Sequence, residues 1–314
     1  MNLKNKRITV TGGAGFLGQN VVKILKEKGC KDIFIPRSKD CDLKENKNCI
    51  RSVQNRDIVI HLAAVVGGIG ANRANLGKFF YGNAIMGIQL IEQARLAGIE
   101  KFVALGTISC YPKFTPIPFK EENLWDGYPE ETNAPYGLAK KMLLVQSQAY
   151  REQYGMNSIF LMPTNLYGPG DNFNPESSHV VPALVKKCVD ALEEGKKEIT
   201  VWGDGSPTRD FVYVEDAAEA IVLATERYNK PDPVNIGSGF EITIKNLVNI
   251  IAEYIGFKGK IIWDTNKPNG QPRRCLDTSK AEIEFGFKAK TNLNEGLKKT
   301  IKWYLDNKSK IKFE

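Results

Sequence analysis

Short apolar runs alternate with amphipathic stretches through the first half of the chain. The runs are rich in β-branched and aliphatic residues and predict buried strands in RITVTGG, DIFIP, DIVIHLAA, KFVALGT and NSIFLMP. Apolar residues at helical spacing predict amphipathic helices in GQNVVKILKEKG, NAIMGIQLIEQARLAG and APYGLAKKMLLVQ. Strands that alternate with helices form right-handed βαβ units. The pattern therefore predicts an α/β fold with a doubly wound parallel sheet, covered by helices on both faces.

The pattern changes from about Gly168. Loops rich in Gly, Pro, Asn and Asp separate short helical stretches, as in GPGDNFNPESSH, WGDGSPTRD and TNKPNGQPRR. No internal repeat or low-complexity segment marks a freestanding linker, so this half is predicted to pack on the sheet. We expect residues 1–167 to form the sheet domain, joined by chain segments that return from the C-terminal half. Residues 168–314 are expected to form mainly a smaller α/β substrate-binding part.

Composition and charge narrow the classes of partner. The chain has 314 residues, 42% of them hydrophobic, and a formal net charge of +8. That excess suits nucleic acid, an anionic membrane or a phosphorylated small molecule. The basic residues are scattered among glutamates with no basic run, and no apolar run has the length of a membrane span. A phosphorylated small molecule is therefore expected, with neither nucleic acid nor membrane as a partner.

Histidines, cysteines and the N-terminus bear on metal binding and location. The chain has two histidines and six spread cysteines with no CxxC pair, so no metal site is predicted. The N-terminus is charged and then enters a short apolar strand, unlike a signal peptide. A cytoplasmic location is expected.

A glycine-rich turn follows the first predicted strand. Gly12, Gly15 and Gly18 have the spacing GxxGxxG between a strand and a helix. Such a turn lets the backbone approach a pyrophosphate, whose charge then faces the helix N-terminus. An ordinary strand–helix turn is the alternative. The position inside a βαβ unit favours a dinucleotide site, and residues 1–167 are expected to be a Rossmann domain.

The end of the second strand indicates which dinucleotide binds. NAD enzymes place an acidic residue there to bond the ribose 2′-hydroxyl, but this chain carries Arg37, Ser38 and Lys39. A guanidinium and a hydroxyl suit a 2′-phosphate, so NADP (NADPH) is favoured over NAD. A solvated basic turn remains the alternative.

Tyr136 and Lys140 lie four residues apart on a predicted helix, downstream of a strand that ends near Thr107 and Ser109. Ligands of open parallel sheets bind beyond the carboxyl ends of the strands. A phenol has an unperturbed pKa of about 10, so a nearby ammonium is expected to lower it for proton exchange near neutrality. Without the glycine turn, this pair would indicate only a surface helix.

With these motifs in place, the chain resembles the extended short-chain dehydrogenase/reductase superfamily and its NAD-dependent epimerase/dehydratase family. The similarity to the GDP-L-fucose synthase branch, the GDP-4-keto-6-deoxy-mannose epimerase/reductases, runs nearly end to end. The matching segments are HLAAVVGGIGAN, CYPKFTPIPFKEENL, TNAPYGLAKKM, MPTNLYGPGDNF, SSHVVPALVKK, WGDGSPTRDFVYVEDAAEA, NIGSG and KPNGQPRRCLD. The resemblance implies NADPH-dependent reduction at C4 of a GDP-4-keto-6-deoxy sugar, with or without 3,5-epimerisation. It also implies a homodimer formed through two helices per subunit.

The same resemblance assigns roles residue by residue. The implied catalytic residues are Tyr136, Lys140, Thr107, Ser109 and His179. The cofactor is expected against Gly12, Gly15, Phe16, Leu17, Gly18, Arg37, Ala63, Ala64, Leu105, Lys140, Pro163, Asn165, Leu166 and His179. The nucleotide sugar is expected against Val180, Leu184, Lys187, Trp202, Arg209 and Lys267. His179 could equally cap a helix, and Trp202 could be core.

One position departs from the branch. Its strand end reads GSSCIYP with a cysteine as the epimerisation base, whereas this chain reads GTISCYP, placing Ser109 there and Cys110 one step later. Adjacent strand residues point to opposite faces, so Cys110 is not expected to substitute unless the backbone is bulged. A serine without a partner is a poor base. C4 reduction is therefore expected to be retained, with epimerisation in question.

The residues after the fourth predicted strand and the catalytic helix also bear on the alternative functions. Ile108 and Ser109 lack the Asp-Glu pair of nucleotide-sugar dehydratases, which disfavours that reaction. A nucleotide-sugar 4-epimerase with bound NAD(P) needs no extra base and stays open as the alternative. A dinucleotide-sensing scaffold is the non-enzymatic alternative, and the presence of Tyr136, Lys140 and Arg209 disfavours it.

Overall fold

The computed structural model describes residues 1–311. The strands are β1 (Arg7–Thr11), β2 (Asp32–Phe34), β3 (Ile58–His61), β4 (Lys101–Leu105), β5 (Ser158–Pro163), β6 (Asn165–Tyr167), β7 (Glu198–Trp202), β8 (Thr208–Tyr213), β9 (Val234–Ile236), β10 (Glu241–Thr243) and β11 (Lys260–Asp264). The α-helices are α1 (Phe16–Glu27), α2 (Asn46–Val53), α3 (Ile69–Ala74), α4 (Leu76–Leu96), α5 (Ala134–Tyr154), α6 (Val180–Glu193), α7 (Val214–Arg227), α8 (Ile244–Ile255), α9 (Ser279–Phe285) and α10 (Leu293–Asn307). Three 3-10 helices are η1 (Ile108–Cys110), η2 (Glu121–Trp125) and η3 (Lys308–Lys310).

Six parallel strands form the central sheet in the order β2-β1-β3-β4-β5-β9. The chain leaves β1 towards β2 and then crosses back to β3, so the strand order reverses between β1 and β3. A crevice opens at such a reversal, beyond the carboxyl ends of the strands. The predicted α/β fold with a doubly wound parallel sheet is confirmed.

Helices cover both faces of this sheet. On one face, α1 packs on α7, and their buried residues join those of the strands in one apolar cluster that includes Val21, Leu25 and Ile221. On the other face, α4 packs on α5 and α2, with Leu90, Ile91 and Leu143 buried. The strands are apolar on both sides because both sides are covered.

The second half of the chain builds a smaller α/β part. A three-stranded sheet has the order β10-β8-β6, and β7 pairs in parallel with β11. The helices α6, α8 and α10 enclose a third apolar cluster with these strands. In contrast, α7 and β9 return to the central sheet, and β6 pairs with β8 although it precedes residue 168. None of the helices within residues 1–311 has the length and apolar character that crossing a membrane requires.

Candidate active site

A cavity of about 1590 Å³ opens at the carboxyl ends of the central strands. Its walls come from both parts of the molecule. The loops after β1, β2, β3 and β4 form one side, and α6, β7 and β8 form the other. This is the crevice that the reversal of strand order creates, so the sheet topology places the candidate ligands and the reacting groups together.

The glycine turn forms one end of the cavity. Gly12 has φ +69, a left-handed conformation that favours glycine, and a Cβ there would lie 2.9 Å from the amide nitrogen of Ala63. A Cβ on Gly18 would lie 2.0 Å from the carbonyl oxygen of Gly12, so only glycine lets α1 begin so close to β1. Gly15 caps α1 and is exposed to the cavity. This cradle of backbone at a helix N-terminus fits a pyrophosphate.

The loop after β2 adds the predicted basic group. Arg37 and Ser38 line the cavity and are exposed, as a residue that meets a bound phosphate should be. Asp32 starts the strand and pairs with Arg56 at 2.5 Å, so its carboxylate is engaged away from the strand end. Lys39, although next in sequence to Ser38, is not among the lining residues.

The segment after β4 differs from the strand that was predicted. The strand ends at Leu105, and Thr107 caps the short helix η1 by accepting a hydrogen bond from the Ser109 amide at 3.2 Å. The alternation of side chains expected of a strand does not apply here, because residues 108–110 form a 3-10 helix, and that expectation was wrong. The helical turn nevertheless directs the Ser109 and Cys110 side chains differently. Ser109 lines the cavity together with Thr107. The Cys110 thiol is fully buried and lies 3.3 Å from the Gly137 carbonyl oxygen. Burial raises the pKa of Cys110 to about 11.

Close packing of α5 on η1 brings Tyr136 to the cavity. Pro135 occupies the first turn of α5, where its missing N–H is tolerated. Gly137 lies against η1, since a Cβ at this position would be 2.1 Å from the Ser109 carbonyl oxygen. Tyr136 and Lys140 both line the cavity, one helical turn apart, and the Lys140 ammonium lies 3.5 Å from the Ala63 carbonyl oxygen.

The electrostatics of this pair differ from the sequence prediction. Burial raises the pKa of Tyr136 above its usual range, whereas a lowering by Lys140 was expected. The ammonium loses solvation in the same surroundings, and burial lowers the pKa of Lys140 to about 8. Desolvation is the largest cause of both shifts, because both side chains lie inside the protein and burial disfavours the charged form of each. A phenol that keeps its proton is the form needed for proton donation.

His179 stands at the start of α6, on the opposite side of the cavity. It occupies the N-cap position, but its side chain makes no capping hydrogen bond. The ring instead lines the cavity, and desolvation lowers its pKa. A neutral imidazole is therefore available at neutral pH.

The remaining predicted ligand residues line the same cavity with one exception. Every residue predicted to hold the cofactor is in the wall, from the glycine turn to Pro163, Asn165 and Leu166. The predicted substrate residues in the wall are Val180, Leu184, Lys187, Trp202 and Arg209. Lys267 is not among the lining residues, and its ammonium lies 5.4 Å from the centre of the Trp202 ring. The ammonium therefore lies over the face of a cavity-lining tryptophan that is itself 46% exposed.

A second arginine beside Arg209 was not predicted. Residues 272–274 run alongside β8, with the Arg274 amide donating to the Thr208 carbonyl at 3.2 Å. This brings the buried Arg274 next to Arg209, and the pKa of Arg209 falls to about 9 through burial and then through that neighbouring charge. The motif KPNGQPRRCLD contains Arg274, but only the pairing with β8 shows that it faces the cavity.

The fold and this site define a class of protein. A doubly wound sheet with a glycine turn, and a Tyr–Lys pair with a hydroxyl beside it, are the parts of a dinucleotide-dependent dehydrogenase/reductase of the short-chain type. The chain belongs to the NAD dependent epimerase/dehydratase family, which matches residues 8–237. The family indicated by the sequence motifs is confirmed.

Individual relatives cover nearly the whole chain. A GDP-L-fucose synthase of Sinorhizobium fredii is 41% identical over 306 residues, which are 97% of this chain and 97% of the relative. Among solved structures, a GDP-6-OMe-4-keto-L-xylo-heptose reductase from C. jejuni superimposes with a TM-score of 0.91 at 26% identity, covering 97% and 99% of the two chains. A GDP-L-fucose synthetase from Naegleria fowleri bound to NADP has a TM-score of 0.87 at 29% identity, with 98% and 96% covered.

Proposed function

We propose that the protein catalyses the NADPH-dependent reduction at C4 of a GDP-4-keto-6-deoxy sugar. The observation that carries this proposal is the meeting of Thr107, Tyr136 and Lys140 with the glycine turn in one cavity. The relatives named GDP-L-fucose synthase, which match over almost the whole chain, support the GDP-sugar.

The residues present fit NADPH. The turn around Gly12, Gly15 and Gly18 leaves room for a pyrophosphate that a Cβ would fill. Arg37 and Ser38 are free to hold the 2′-phosphate, and Lys140 lies where it can hold the nicotinamide ribose. When bound, NADPH supplies the hydride for C4 of the sugar. The solved relative with NADP bound supports this choice.

The side chains supply the proton and hold the keto group. Thr107 and Tyr136 place two hydroxyl groups on one wall, where they bond the carbonyl oxygen at C4. Tyr136 donates its proton to that oxygen as the alcohol forms, and its raised pKa keeps the donor protonated before the reaction. The Lys140 ammonium stabilises the phenolate that results, because opposite charges attract strongly in a desolvated site.

Epimerisation depends on the wall opposite Tyr136 and on position 109. His179 is a neutral imidazole in the cavity and fits the role of a proton carrier. Ser109 faces the cavity at the position where the resembling branch carries a cysteine, and no described residue accepts a hydrogen bond from its hydroxyl. A serine with no base beside it is a weak base, so C4 reduction is the step that this site supports best. The names of the relatives favour a reaction that includes epimerisation.

We propose that the chain works as a homodimer in a reducing, cytoplasmic compartment. Exposed apolar residues Met142, Val145 and Ala149 recur at helical spacing on α5, and Tyr81 is exposed on the neighbouring α4. Such a seam suits a bundle formed with the same helices of a second copy. All six cysteines are free and buried, as suits a reducing compartment.

The experiment that tests this function uses GDP-4-keto-6-deoxy-mannose and NADPH in deuterated water. NADPH oxidation is followed by absorbance, and deuterium is located in the product by NMR. Oxidation with deuterium at C3 and C5 would establish reduction with epimerisation, and oxidation without it would establish a plain C4 reductase. No oxidation would rule out this substrate, and the next test would be 4-epimerisation of nucleotide sugars.

A further inference from the structure

His61 is a buried titratable residue to which the proposed reaction gives no role. It ends β3 with a relative exposure of 0%, one strand away from the glycine turn. Its Nδ1 atom lies 2.8 Å from the Thr11 hydroxyl. Its Nε2 atom is buried and has no hydrogen-bond partner among residues 1–311. Buried polar atoms without a partner are costly, so this histidine calls for an explanation.

The contacts of Thr11 determine which ring nitrogen carries the proton. The amide of Ala63 donates to the Thr11 hydroxyl oxygen at 3.2 Å. The hydroxyl hydrogen then has one acceptor within reach in the described chain, the Nδ1 atom of His61. A neutral histidine that accepts at Nδ1 carries its proton on Nε2. The alternative tautomer would leave the hydroxyl hydrogen of Thr11 unpaired as well.

Ala63 joins this buried pair to both functional ends of the cavity. Its amide donates to the Thr11 hydroxyl. Its backbone packs closely against Gly12, since a Cβ built on Gly12 would lie 2.9 Å from the Ala63 amide nitrogen. Its carbonyl oxygen faces the Lys140 ammonium at 3.5 Å. One residue therefore touches the candidate pyrophosphate cradle and the catalytic lysine.

The charges around Lys140 favour a neutral His61. The titratable groups that interact with the charge of the ammonium are His61 from β3 and Cys110 from η1. Tyr136 lies one helical turn away on the same helix. Burial and the charge of Lys140 both lower the pKa of His61 well below its usual range. A protonated imidazole would repel the ammonium and could no longer accept from Thr11.

We propose that His61 is a positioning residue that acts through Thr11 to hold the Ala63 peptide, and thereby the Lys140 ammonium and the glycine turn, in their working places. Its neutral form with an acceptor at Nδ1 is the state that performs this task. The catalytic part of this inference rests on the proposed C4 reduction. The structural part concerns the chain alone.

The first test measures the protonation state and tautomer of His61. The chain has only two histidines, so nitrogen NMR of isotopically labelled histidine in the wild-type protein is readable, and His179→Gln assigns the signals. We expect His61 to stay neutral with a bare Nδ1 and a protonated Nε2 from about pH 5 to about pH 9. A His61 ring that protonates near its ordinary pKa, or that carries its proton on Nδ1, would overturn the proposal.

The second test removes the hydroxyl without changing the volume. Thr11→Val keeps the shape and loses the hydrogen bond, whereas Thr11→Ser keeps the hydroxyl and is the matched control. In Thr11→Val we expect roughly tenfold weaker NADPH binding and roughly tenfold lower kcat/KM. We also expect the alkaline limb of the kcat/KM profile to move down by about half a pH unit, because the ammonium loses an ordered carbonyl acceptor. Thr11→Ser should stay close to wild type.

These readouts separate positioning from simple stability and from the proposed function. A Thr11→Val protein that melts earlier but keeps the wild-type pH profile and NADPH affinity would overturn the positioning role. A wild-type protein that binds NADPH without oxidising it in the presence of the GDP-keto sugar would defeat the proposed function. The NMR and the NADPH binding measurements would still decide the inference about His61.

Discussion

Tyr136 is the proton donor of the proposed reduction, and Tyr136→Phe removes its hydroxyl with little change in shape. Loss of a general acid lowers the rate by about 10²–10⁴-fold, so we expect kcat to fall by that factor. NADPH binding should be almost unchanged, because the ring itself remains. Single-turnover kinetics and an NADPH titration measure the two effects. A variant that retains most of the wild-type rate would remove Tyr136 from the mechanism.

Arg37 is expected to select the cofactor. It lines the cavity and is exposed, so a 2′-phosphate can reach it. A charge-assisted hydrogen bond contributes about 1.5–3 kcal/mol, so Arg37→Ala should weaken NADPH binding by roughly tenfold or more and leave NADH binding nearly unchanged. Lys39→Ala is the matched control, because this neighbouring cation is not among the lining residues. Equal losses for NADPH and NADH would contradict the assignment.

The lowered pKa of Lys140 is expected to set an upper pH limit for activity. Burial lowers its pKa to about 8, and the charged form is the one that stabilises the phenolate. The kcat/KM value reports the free enzyme, so it should fall as the pH rises through about 8. Stability changes with pH in the opposite direction to activity. An unfolded lysine keeps its proton up to 10.5, so this group makes the free energy of unfolding rise between about pH 8 and that value.

The control for this pH limit is a second buried lysine. Burial also lowers the pKa of Lys101 to about 8, but Lys101 does not line the cavity. The variant Lys101→Met should therefore keep the alkaline limb of the kcat/KM profile where it is in the wild type. If the alkaline limb disappeared in this variant, the titration would belong to Lys101 and not to Lys140.

At the scale of elements, Lys101 ties β4 to the end of α7. Its side chain is fully buried, and its ammonium donates to the carbonyl oxygens of Ala224, Thr225 and Tyr228 and to the side chain of Asn229. The last carbonyls of a helix have no partner inside the helix, and a cation also suits the negative end of the helix dipole. One lysine therefore fixes the helix end against the central sheet.

Replacing this lysine should weaken the joint between the helix and the sheet. Lys101→Met removes the ammonium donor from the buried carbonyl oxygens of Thr225 and Tyr228, while the Ala224 carbonyl keeps the Tyr228 amide as a donor. The loss is expected to cost about 1–3 kcal/mol. We expect a lower midpoint of urea unfolding with an unchanged slope, measured by circular dichroism. The exposed Lys245→Met on α8 is the control and should have almost no effect. An unchanged midpoint in Lys101→Met would show that water replaces the ammonium without loss.

At the scale of the whole molecule, the proposed homodimer is expected to form through the exposed apolar seam on α4 and α5. Val145 is 50% exposed near the centre of this seam. Val145→Glu places a charge where a second copy would bury the side chain, so we expect a dimer to become a monomer in sedimentation experiments. The fold should survive because the isolated chain already exposes this position. Leu192→Glu on α6 is the matched control, with 46% exposure away from the seam. A wild-type monomer at micromolar concentration would contradict the dimer.

What the sequence determined by itself is local and periodic. Five strands of the central sheet, β1 to β5, and the helices α1, α4 and α5 followed from apolar spacing, because that spacing sets which side of an element is buried. The sixth strand, β9, and the helices α2 and α7 were not predicted. The glycine turn and the Tyr136–Lys140 pair were found in the same way, since a turn and an i, i+4 spacing are properties of neighbouring residues. The family followed from the motifs that surround them.

Tertiary structure alone decided the features that depend on distant neighbours. The end of β4 forms a 3-10 turn, and packing against Gly137 buries Cys110 while Ser109 faces the cavity. The pKa of Tyr136 rises because its own phenol is desolvated, and burial cannot be read from the sequence. Arg274 reaches the cavity only through its pairing with β8. The physical reason is the same in each case: burial, charge and close approach are set by residues far apart in the chain.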